Sequence, residues 1–302
     1  MTPTSTLVPW LLVLLAGALW GSGALVVAHL LARTDLNSLE IALARFLIGL
    51  PALAWPLLRS GRLFVRRGNA WVLLVGVAMA INVSCWFEAI NRVGAAIATV
   101  IALCLAPVIV GIISVLTGIE RISYRLVSAV LMAVGGTVLI VLGGVTSGPT
   151  QTSLIGVGFA MLSALMYSIL SLGTHRAVSR GDYSSVAFDC NFVAALSMMV
   201  MMAVIGPVGD TGQGALNAWR LLDAQDILWL IYMGLGTASL AFWAFATGAR
   251  RLSPTRVTVA TLIEPLIAAV LGVIILGETL HVSQIVGAIG LFGAILLLAR
   301  DR

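Results

Sequence analysis

Residues 7–31 read LVPWLLVLLAGALWGSGALVVAHLL, a run without a formally charged side chain. At about 1.5 Å of rise per residue it can cross a hydrocarbon core of about 30 Å as a single helix. Further apolar runs follow at 37–58, 70–91, 94–117, 124–143, 153–174, 184–207, 225–248, 255–276 and 282–299, separated by short polar breaks. Their continuity argues for helices, because barrel strands would alternate over segments of about ten residues. The first run is too long for the core of a signal peptide, and Met1 to Thr6 carry no basic flank, so it reads as a retained span. Sixty per cent of the chain is apolar and 10% charged, a balance suited to lipid and not to a water-soluble globule.

The net charge of +5 points to orientation in a bilayer and to no nucleic-acid partner, because of where the charges lie. Every one of the 17 Lys-or-Arg positions is arginine. Placing alternate loops on opposite sides puts Arg59, Arg62, Arg66, Arg67, Arg121, Arg125, Arg176, Arg180, Arg250, Arg251, Arg256, Arg300 and Arg302 on one side. Only Arg33, Arg92 and Arg220 fall on the other, and Arg45 alone lies within a span. By the positive-inside rule both termini are then cytoplasmic, which requires an even number of crossings. Cys85, Cys104 and Cys190 all fall within spans without metal-ligand spacing and read as packing residues. No cofactor or metal is called for, and no phosphate-cradling loop is present.

Sliding the chain by about 158 positions brings Trp71, Gly76, Ala80, Phe87, Arg92, Pro107, Glu120 and Gly135 onto Trp229, Gly234, Ala238, Phe245, Arg250, Pro265, Glu278 and Gly293. Near the start of each half an offset of about 146 pairs Ala18, Leu19, Ser22 and Phe46 with Ala164, Leu165, Ser168 and Phe192. Five spans per half is an odd number, so the second copy enters the membrane with opposite polarity. The expected fold class is an all-α integral membrane protein of ten transmembrane helices in two inverted five-helix repeats. The repeats run over 1–146 and 147–302 and meet in the polar segment Gly144 to Ser153. Such halves can exchange conformations around a midplane site, which is alternating access.

The sequence resembles the drug/metabolite transporter superfamily, and specifically its ten-helix EamA-type members, over essentially its whole length. The resemblance rests on Ala18-Leu19-Trp20-Gly21-Ser22, on Ala44-Arg45-Phe46, and on paired helix-end signatures. These are Ala106-Pro107 with Glu120-Arg121, and Glu264-Pro265 with Gly277-Glu278. It implies eight helices forming a basket around a central cavity, with the fifth and tenth spans outside. Amino-acid exporters of the YddG type look similar in size and simplicity. The chain departs from sugar-phosphate translocators in having no lysine, and from four-helix multidrug relatives in having no acidic residue in its first span.

Ionisable and polar groups at membrane depth are the candidate site residues. Glu264 must be protonated, wet or paired, with Arg45, a substrate ammonium or a bound proton as candidate partners. Arg45 can hold a carboxylate through two parallel hydrogen bonds, or serve a structural pair with Glu40, Glu264 or a kink carbonyl. Trp20, Ser22, Asn82, Trp86, Tyr167 and Asn191 are further candidates for a substrate cavity, Asn191 as the repeat partner of Arg45, and Glu88 is a weaker one. Pro107 and Pro265 each remove a helical hydrogen bond, freeing the carbonyls of Leu103 and Thr261 for a hinge, a ligand or static packing. Trp10, Trp55, Trp71 and Trp229 read as interfacial belt residues. Gly17 with Gly21, and Gly287 with Gly290 and Gly293, allow close helix packing.

The expected function is a secondary transporter or facilitator for a small-molecule substrate, working in the bacterial cytoplasmic membrane with the bilayer as its other partner. Amino acids, apolar or aromatic, lead as substrates, ahead of organic cations or drugs, polyamines and nucleosides. A membrane enzyme would need a polar catalytic cluster at one face, where the loops are short and mostly arginine. A receptor would bind without flux. Nothing in the sequence sets the oligomeric state, and a monomer satisfies it.

Overall fold

A computed structural model of the chain describes residues 4–61, 69–143, 154–205, 219–276 and 281–300, and the described residues are helical apart from short turns. Among the described residues ten segments are long and apolar enough to cross a membrane. The chain is an all-helical membrane protein of two five-span halves. Spans 1 and 2 are α1 (Thr4–Arg33) and α2 (Ser38–Arg59), and spans 3 and 4 lie within α3 (Ala70–Leu116). Span 5 is α4 (Tyr124–Gly143), span 6 α5 (Leu154–Ser179) and span 7 α6 (Tyr183–Ile205). Span 8 is made of α7 (Ala224–Tyr232), a π segment (Met233–Leu240) and α8 (Ala241–Ala249). Span 9 is α9 (Pro254–Thr261) followed by α10 (Ile263–Leu276), and span 10 is α11 (Val282–Ala299). The expected boundary at Gly144 to Ser153 and the signature at Gly277-Glu278 lie outside the described residues.

The break expected between spans 3 and 4 at 92–93 is not seen as an interruption of the helix, which runs on through those residues. The chain nevertheless turns back between Met79 and Leu103, because both line one cavity. Along a straight helix they would stand about 36 Å apart.

Local sequence sets the helix ends. The Asn37 side chain accepts from the amides of Leu39 and Glu40, and Glu40 Oε2 accepts from the Asn37 amide at 2.7 Å. This capping box satisfies donors that lipid cannot. Glu40 is thus engaged at its own helix end, and of the alternatives for Arg45 a pair with Glu40 is not among the ion pairs of the described residues. Asp223 and Asp226 build the same box at the start of α7. Arg33 at the end of α1 pairs with Asp223 and, at 3.2 Å, with Asp226.

Between spans, where no water is expelled, association rests on close packing, and glycines set the distances. A Cβ on Gly21 would stand 2.3 Å from the Glu264 carbonyl oxygen. On Gly76 it would meet Val193 of α6 at 2.5 Å, and on the matched Gly234 it would meet Ile48 of α2 at 2.5 Å. Gly136 and Gly287 face each other, each Cβ position within 2.6 Å of the other's carbonyl, so α4 and α11 touch backbone to backbone. These two helices pack chiefly on each other. Phe46, Phe87, Phe242 and Phe245 are fully buried. The three cysteines are free and buried. Trp10 is buried in the core, whereas Trp55 is exposed with Arg59 over its ring.

Candidate functional site: a polar cavity at mid-depth

Seven spans converge on one cavity: α1 through Trp20, α2 through Arg45, α3 through Met79, Asn82, Trp86 and Leu103, α5 through Ser163 and Tyr167, the π segment through Met233 and Thr237, and α10 through Glu264. Its volume is about 80 Å³. That is room for several waters, since about 10–15 Å³ holds one. Span 7 and the α4–α11 pair contribute nothing to the lining.

Glu264 owes its place to the backbone. Span 9 breaks at Leu262, and α10 starts again at Ile263, so Glu264 and Pro265 occupy a first helical turn. Proline is tolerated there because its missing amide hydrogen is one of the unbonded donors of a helix start. A carboxylate is favoured there by the helix dipole. Gly21 lets α1 lie directly on this break. Pro107 differs: it stands inside the unbroken α3, so the equivalent kinks expected of the two prolines are two different structures.

The other polar groups are held across helix interfaces. Asn82 donates to the Ser163 carbonyl and hydroxyl, each at 2.9 Å. Tyr167 shares a 2.8 Å hydrogen bond with the hydroxyl of Thr261, beside the break. The Trp20 indole donates to the Thr237 carbonyl at 3.0 Å, and Arg45 donates to the same oxygen at 3.1 Å. Trp20 also packs against Tyr167 and Phe245, with ring centroids at 6.3 and 5.3 Å. Nε of Arg45 and the indole nitrogen of Trp86 are buried with no partner among the described residues. Arg45 and Glu264 face the same cavity without a direct ion pair among the described residues. One wall thus offers a guanidinium donor and another a carboxyl group, between aromatic faces.

Two expected cavity residues lie elsewhere. The Ser22 hydroxyl donates to the Leu19 carbonyl at 2.9 Å and bonds Tyr232 on α7. Asn191 is fully buried and donates to the Ala187 carbonyl of its own helix at 2.9 Å. Glu88 pairs instead with Arg92, one turn along α3, at 2.7 Å. Thr237, Ser163 and Met233 escaped the sequence reading. The pair Gly234 and Gly236, weak α-formers in the middle of a span, was the available signal for the π segment.

A helical protein whose described residues include ten candidate spans around a cavity lined by a few polar and several aromatic side chains has the architecture of a membrane transporter. The EamA-like transporter family matches residues 8–142 and again 154–300, and the chain belongs to that family. It is 28% identical over 97% of its length to the uncharacterized transporter YwfM of Bacillus subtilis (strain 168), covering 94% of that protein. It is 24% identical to an uncharacterized transporter of Archaeoglobus fulgidus, covering 88% of each. A solved crystal structure superposes with a TM-score of 0.74 at 20% identity over 99% of both chains, a likeness of fold.

Proposed function

We propose that the chain exports apolar or aromatic amino acids from a bacterial cytoplasm by alternating access, with both termini cytoplasmic, and that it is not an enzyme. The observation that carries this reading is the pairing of Arg45, with a free buried Nε, and Glu264 on one aromatic-walled cavity. A zwitterion places its carboxylate on the guanidinium, its ammonium on the carboxylate and its side chain against Trp20, Trp86 and Tyr167. A second reading, an organic cation, draws on Glu264 and the same rings without using Arg45. Counterflow in proteoliposomes with labelled amino acids, nucleosides and organic cations separates the two. Exchange of phenylalanine or leucine supports the first reading, exchange of cations alone supports the second, and binding without flux discards transport. Arginine placement supports the orientation. Cysteine probes at Arg66 and Arg176 should label from the cytoplasm, and one at Gly148 from outside.

A further inference from the structure

Thr237 holds two donors from two other helices on a single backbone oxygen. A carbonyl in a regular helix is already engaged by the amide four residues on, so this one must be free for a reason. The π segment supplies it. At the end of Met233–Leu240 the Ala241 amide bonds the Gly236 carbonyl, five residues back. When α8 resumes the four-residue register, the next amide reaches back to residue 238, and the carbonyl of residue 237 is passed over. The oxygen skipped by the register change is the one that Trp20 and Arg45 use.

The wide register is itself supported from α2. The Ser239 hydroxyl donates to the Gly49 carbonyl at 2.7 Å and to the Gly234 carbonyl at 3.0 Å. Gly49 and Gly234 permit this approach, since a Cβ on Gly49 would stand 2.8 Å from the Gly234 oxygen. In the first half the matching position is Met79, inside the unbroken α3.

We infer that the π segment of span 8 is a positioning device for the substrate site: the skipped Thr237 carbonyl anchors Arg45 and Trp20, and a return of span 8 to α register withdraws that anchor. With one donor group spent on Thr237, Arg45 is held with Nε free to meet an anionic group. The anchor stands on the geometry alone; only its use for a carboxylate rests on the amino-acid reading above.

The test begins without ligand. Either donor alone satisfies the Thr237 oxygen, whereas losing both orphans a buried carbonyl. In purified full-length protein, Trp20→Phe with Arg45→Gln should lower Tm by about 2–4 °C more than the sum of the single changes. A simple sum overturns the inference. Removing Leu235, a half-exposed residue of the π segment, takes out the extra residue and restores α register without rotating the flanking turns. In that background the excess should vanish, and its persistence would also overturn the inference. If the deletion variant fails to insert, the ligand-free cycle decides alone. Labelled L-phenylalanine then tests the use of the anchor, with binding at least about tenfold weaker in the deletion variant. If wild-type protein binds no amino acid while the excess in Tm is present, the amino-acid reading fails and the anchor stands.

Discussion

Spans 3 and 4 of the first half and spans 8 and 9 of the second occupy matching places in the sequence, yet their backbones differ. The first pair is helical throughout Ala70–Leu116, with no π segment in either span and only the turn between them. The second contains a π segment and a break at Leu262. Each irregularity in the second half faces the cavity and supplies it with something a regular helix withholds. The π segment gives a carbonyl, and the break gives a helix N-terminus carrying Glu264. Irregular backbone at membrane depth is tolerated where it lines a cavity or is buried in protein. The first half contributes mainly side chains: Trp20, Arg45, Asn82 and Trp86. The matched phenylalanines differ in the same way, Phe46 being fully buried and Phe192 half exposed. A duplicated sequence has therefore been put to two uses, one structural frame and one source of polar backbone.

The comparison breaks first at Glu264. If the second half carries the charge that matters, Glu264→Gln should cut transport by about 10–100-fold while the protein still inserts, the range expected for a lost charge-assisted contact. Counterflow rates at equal reconstituted protein measure it, and wild-type rates would remove the carboxylate from the mechanism.

The prolines sharpen the contrast at intermediate size. Pro107→Ala restores a mid-helix bond to Leu103, whose residue lines the cavity, and should slow turnover by about threefold to tenfold with little change in affinity. Pro265→Ala replaces a residue whose amide is unbonded in a first turn, and should leave turnover within about twofold. Equal sensitivity of the two would mean that both spans bend as hinges after all.

The smallest effect belongs to the Asp223 end of span 8. The Asp226 backbone amide, with the Arg33 cation adding to it, holds the Asp223 carboxyl below the usual aspartate range, against a burial contribution. A depressed folded-state value means a stabilisation present above the unfolded aspartate value of about 3.9 and lost as pH falls through the lower folded value. Asp223→Asn should therefore lower Tm slightly at neutral pH, and the gap from wild type should close on acidification below about pH 4. A gap constant with pH would assign Asp223 a capping role independent of its charge.

Span number, helical class and family were legible because continuous apolar length and scarce matched residues survive without any knowledge of packing. Rotation about each span was not. Spans 1 and 7 are apolar on nearly every side, so periodicity gives no inward face, and Ser22 turned to a neighbouring helix and Asn191 to its own while Trp20 reached the cavity. Glu264-Pro265 was read as a kink because the apolar run continues across it, although an acid followed by proline also marks a helix start. Arg45 found a partner that no list of side chains contains, a backbone oxygen whose availability depends on register.

The contact of Gly136 with Gly287 bears on how the protein is made. Helix α4 leaves the ribosome long before α11, the last span, and the two glycine faces meet with no room for a side chain between them. Until α11 is synthesised, that face of α4 must be covered by lipid or by a temporary companion. A nascent chain halted before residue 282 should therefore hold α4 loosely and expose it to lipid-borne cross-linkers, and completion of the final eighteen-residue helix should shut that access.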